Sequence, residues 1–131
     1  MFRRLAATVL TLAASGSAQS LELRSGEVLL GRVTAIDATQ VTVAASYPEP
    51  RSIIVPRADL TPRSRFQVLA ERGDQGSAAG HVALAESALR LGLPAHAMAE
   101  LREAVRLDPT RQATLSARIQ GIREQIAAGL L

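Results

Sequence analysis

The stretch RSIIVPRADL (residues 51–60), followed by TPRSRFQVLA (61–70), decides the fold, because the hydrophobic period changes inside it. Arg51 to Val55 is a short β-branched run that Pro56 ends, since proline has no N–H to give to a sheet ladder. Thr61 is then a helix N-cap and Pro62 a first helical residue, with Phe66, Leu69 and Ala70 on one helical face. Strands therefore precede position 60 and helices follow it. The implied fold class is α+β: a small four-stranded barrel-like β-meander over residues 21–60, then a helical hairpin with flanking helices over 61–131.

Upstream of that junction the pattern has period two with turn punctuation. Leu21 to Arg24 alternates, Ser25-Gly26 turns, and Glu27 to Ile36 forms a second strand with Gly31 inside it, where a bulge or sharp bend is expected. Asp37 to Gln40 makes the next turn, and Val41, Val43 and Ala45 point one way from a third strand. Tyr47-Pro48-Glu49-Pro50 is a loop before the strand that starts at Arg51, and Leu60 is placed to tuck under the sheet. The meander, Leu23-x-Ser-Gly-x-x-Leu-x-Gly-x-Val33 closed by Ile54-Val-Pro-Arg57, resembles Sm-type and related small barrels over about a third of the chain. That resemblance implies RNA binding. The composition opposes it, because single-strand binding needs stacking aromatics and a basic groove, whereas residues 21–60 hold four Arg against five acids. No nucleic-acid partner is expected.

The N-terminus has the layout of a secretory signal peptide: Arg3-Arg4, ten residues from Leu5 to Ala14 without charge, then the small residues Ser15 to Ala18. Ten apolar residues are too few to span a bilayer of roughly 30 Å. Cleavage is expected after Ala18, with Ser20 as the other position. The expected domain layout is signal peptide 1–18, β-module 21–60 and helical module 61–131, the product being exported, periplasmic or secreted, with no transmembrane segment in the mature chain. Removing Arg3 and Arg4 takes the formal charge from +3 to a balance of 13 Arg against 12 Asp plus Glu. The basicity is mostly the leader, and all 15 cations are arginine.

The 131 residues include no Cys, Lys or Trp, which excludes thiolate nucleophiles, Cys-ligated metals, Schiff bases and a P-loop lysine. Of the 62 apolar residues, 42 are Ala or Leu and only Phe2, Tyr47 and Phe66 are aromatic, so a thin, helix-friendly core is expected. Ser77 caps a helix running to about Leu91, with His81, Leu84, Ala85, Ala88 and Leu91 on one stripe, and Gly92 sits where a left-handed residue is wanted. Pro94 opens a further helix with Ala97, Met98, Leu101, Ala104 and Val105 inward, and Asp108-Pro109 repeats the cap-plus-proline signal. A last helix carries the seam Leu115, Ile119, Ile122 and Ile126.

From Ala78 to Pro109 the chain resembles one tetratricopeptide repeat, carried by Leu84, Ala85 and Ala88, by Ala97, Leu101 and Ala104, and by the closing Pro109. His81 stands where an aromatic is usual, Ala85 replaces a glycine and Ala88 a tyrosine. The resemblance implies a protein–protein interaction role toward another envelope protein or peptide. A full peptide groove takes about three stacked repeats, more than one unit with two flanking helices supplies. The competing expectation is a self-assembling subunit that dimerises through the last-helix seam.

Catalysis is not expected. The only histidines are His81 and His96; His96 and Glu100 share a helical face, but two ligands do not make a metal site, so no cofactor or metal is expected. Gly73 to Gly80 is glycine-rich yet lacks phosphate-loop spacing and lysine, and is a linker. Arg51, Arg57, Arg63, Arg65 and Arg72 crowd the junction between modules, either as a solvated rim or as a patch for an acidic partner.

Overall fold

The computed structural model describes residues 18–131. The export segment expected over residues 1–18 lies outside the described residues except for Ala18. A four-stranded antiparallel open sheet comes first and four α-helices follow, so the fold is mixed α+β. The chain divides into two compact units between Arg65 and Phe66.

In the first unit β1 (Gln19–Glu22), β2 (Val28–Ile36), β3 (Gln40–Tyr47) and β4 (Arg51–Pro56) pair in sequence order. Alternation explains which face is buried: Leu21, Leu29, Val33, Val41, Val43 and Val55 point inward, while Leu30 and Ile54 are exposed on the other side. The register slips between Leu30 and Gly31 and again between Val33 and Ala35. Gly31 is the tight point. A Cβ there would overlap the Ala44 carbonyl oxygen and lie 2.7 Å from Ala45 Cα, so only glycine lets the two strands approach this closely.

After β4 a 3-10 turn (Arg57–Asp59) brings the chain back to β1. Leu60, almost wholly buried, forms a single bridge with Leu23. Around it Arg24 N–H donates to the Asp59 carbonyl at 2.7 Å and Thr61 N–H to the Glu22 carbonyl at 3.0 Å. Helix α1 (Pro62–Arg72) starts on the expected cap, with Thr61 Oγ1 accepting from Ser64 N–H at 3.3 Å. The buried Ser64 hydroxyl accepts in turn from Glu22 N–H at 2.8 Å.

The second unit is built around α2 (Ala78–Arg90), α3 (Pro94–Leu107) and α4 (Gln112–Ala127). Ser77 caps α2 by accepting from Gly80 N–H at 3.0 Å. Gly92, at φ 76°, ends it, with Leu93 N–H reaching back to the Ala88 carbonyl at 2.8 Å. A second 3-10 turn (Pro109–Arg111), capped by Asp108, precedes α4. Phe66, Leu69 and Ala70 of α1 pack on this helical core.

Replacing Gly31 by Ala should lower stability by roughly 1–3 kcal/mol, the cost of overpacking a closely fitted site. The midpoint of urea unfolding for the full chain measures it.

Candidate functional site

Helices α2 and α3 meet through small side chains. Ala85, Ala88, Ala97 and Ala104 are almost wholly buried, with Leu84 and Leu101 filling the space between them; Pro109 is exposed at the start of its 3-10 turn. Alanines at a crossing let helix axes approach and keep backbone packing dense where large side chains are scarce. Helix α4 covers the pair by burying Leu115, Ile119 and Ile122, while Ile126 stays exposed.

Between α2 and α4 this leaves a cleft of about 300 Å³ lined by Leu89, Ala117, Arg118, Gly121, Ile122 and Gln125. Gly121 opens it: a Cβ placed there meets nothing within 4 Å. At its rim Arg118 Nη2 donates to both carboxylate oxygens of Glu86, at 3.0 and 2.9 Å. Both side chains are well exposed, so the pair orients the guanidinium more than it stabilises the fold.

His81 does not stack in the core. Its Nδ1 lies 2.6 Å from Glu100 Oε1 and its Nε2 lies 2.9 Å from the Gln75 carbonyl oxygen. Burial opposes its protonation, but the hydrogen bonds to Glu100 and Gln75 and the charges of Glu100 and Glu103 outweigh it and hold its pKa above 6.5. The expected His96–Glu100 neighbourhood is resolved differently: Glu100 is the partner of His81, and His96 meets Phe66 edge-on with ring centroids 5.2 Å apart. Spacing along one helix could not show the Glu100 contact, which crosses from α3 to His81 on α2. The signal in the sequence was the polar ring at a buried stripe position.

The junction arginines do not behave as one set. Arg51 pairs with Glu49 at 3.6 Å. Arg57 clasps the β2–β3 turn, donating from Nη1 to the Asp37 and Ala38 carbonyls at 3.0 and 3.3 Å. In that turn the Thr39 and Gln40 N–H groups bond to the Asp37 carboxylate and hold its pKa low, with a smaller contribution from Arg57. Arg65 has a buried Nε without a hydrogen-bond partner among the described residues. Arg63 is exposed, and Arg72 belongs to the second unit.

Among the described residues no cluster of three or more His, Asp or Glu side chains is placed to hold a metal ion. Among the same residues no helix is long and apolar enough to cross a membrane. No protein-family model, curated protein or solved structure matches the chain.

Arg57→Ala should destabilise the sheet by about 0.5–1.5 kcal/mol through its lost hydrogen bonds. Arg63→Ala should change stability by no more than about 0.5 kcal/mol, as exposed substitutions do. Denaturant titration of both variants separates the clasp from the free surface cation.

Proposed function

We propose that the chain is an exported, non-catalytic protein–protein interaction protein of the cell envelope: an adaptor in which a small barrel-like β-module precedes a tetratricopeptide-like hairpin that takes a segment of another protein. The observation that carries this reading is the cleft between α2 and α4, whose floor is kept open by Gly121 and whose rim carries an oriented Arg118. The barrel-like description of the β-module is supported by the Leu23–Leu60 bridge and its two flanking hydrogen bonds. Export is supported by the leader pattern and by the position of β1, which begins at Gln19. A cut after Ala18 keeps the pairs Gln19–Gly31 and Ser20–Leu30 in the sheet, whereas a cut after Ser20 removes both. N-terminal sequencing of the exported protein should return Gln19.

The competing reading, self-assembly through the last helix, has less support. Three of its four seam residues are buried inside the chain itself, which leaves Ile126. Arg51, Arg57, Arg63 and Arg65 of the first unit are kept as a secondary surface for an acidic partner, with Arg63 exposed and the least engaged of them.

Peptides selected from a display library against the full chain test the cleft. Gly121→Leu fills it, and should weaken the selected peptides by at least about tenfold, near 1.4 kcal/mol. Binding unchanged by Gly121→Leu but lost on changing Arg57, Arg63 and Arg65 to Ser would move the partner surface to the arginines. Light scattering showing a stable dimer at micromolar concentration would favour the self-assembling subunit.

A further inference from the structure

Residues 73–77 join α1 to α2, and residues 73–76 of this connection are exposed. They are held in three ways. The Asp74 carboxylate accepts from Gly76 N–H at 3.0 Å and from the Ser77 hydroxyl at 2.7 Å. The Asp74 carbonyl lies in the space where Gly80 lacks a side chain, and any Cβ there would overlap it. The Gln75 side-chain amide donates to the Ala70 carbonyl, and the Gln75 carbonyl faces His81 Nε2 at 2.9 Å.

The last contact is conditional. A carbonyl oxygen and an ionised carboxylate are both acceptors, so His81 stands between two groups that each need an N–H from it. A neutral imidazole carries one N–H and must turn a lone pair toward the other oxygen. The short contact to the Glu100 carboxylate, at 2.6 Å, is the charge-assisted one and is kept. The Gln75 carbonyl is therefore the partner that is lost.

We propose that His81 is a proton-operated latch on the 73–77 connection: doubly protonated, it ties the Gln75 carbonyl to Glu100 of α3, and on losing one proton it releases the connection while keeping Glu100. The charged groups facing the ring are Asp74 from the connection and Glu100 and Glu103 from α3, all acidic, with Arg106 paired to Glu103. Their sign favours the imidazolium, in agreement with the upward shift of its pKa. The latch therefore closes as pH falls below the raised value of the folded chain and opens as pH rises through it.

Hydrogen–deuterium exchange of the full chain across pH 5.5 to 9, corrected for intrinsic rates, reads the connection, and 15N shifts of the His81 ring read the proton. Protection of the Gly76, Gly80 and His81 amides, which bond to Asp74 and Ser77 of the connection, should fall about tenfold with the same midpoint as the ring titration. Glu100→Gln should move both midpoints down together, and His81→Gln should leave protection independent of pH. Either of two results overturns the latch: a ring with a single proton at pH 6, or protection that stays level while the ring titrates. The wild-type chain alone supplies both readings, so the conclusion stands whether or not a variant folds.

Discussion

An abundance of alanine and a scarcity of aromatic side chains govern this structure. With 24 of 62 apolar positions taken by Ala and only three by aromatic residues, many contacts between elements are made by bringing backbones close. Gly31 meets the backbone of β3, Gly80 accommodates the Asp74 carbonyl, and four buried alanines let α2 and α3 cross. At Gly31 and at Gly80 a Cβ would overlap a backbone carbonyl oxygen, so neither approach admits a larger residue. The cleft beside Gly121 is the reverse case, a small residue that leaves space unfilled.

Thin packing places more of the ordering on polar contacts, and these recur where chain segments change direction. Arg57 holds the β2–β3 turn through two carbonyls, and Ser64 ties the start of α1 to β1. His81 performs the same task for the connection before α2, joining a backbone carbonyl to a carboxylate on α3. The difference is chemical: arginine keeps its donors and a serine hydroxyl its acceptor lone pairs across the physiological range, whereas an imidazole gives up a donor. Only that third tie responds to protons. Arg118 and Glu86 form an exposed counterpart between α2 and α4, where water screens the charges and little stability is gained.

Local signals carried most of the element map. The end of β4 at Pro56, the Thr61 cap, the Ser77 cap and the left-handed Gly92 were all legible, because each is decided by a few neighbouring backbone groups. Gly31 was legible as an irregularity, though not as a steric contact with Ala44 and Ala45, which belong to another strand. A barrel-like outline was expected, and the sheet is open, with one isolated bridge between Leu23 and Leu60. Strand alternation specifies which side chains face inward; it says nothing about whether the first and last strands meet.

The sequence by itself determined the class of fold, the order of its elements, the small-residue character of the helical crossing and the absence of cysteine and lysine chemistry. Those properties follow from composition and from patterns within a few turns of chain. Tertiary structure alone decided that Glu100 belongs to His81 and not to His96, that Arg57 is spent on a turn, and that α4 buries most of its own seam while leaving a cleft against α2. Each depends on the register between elements distant in sequence, and register is set by how side chains of different volumes fit across an interface, which no one-dimensional spacing records.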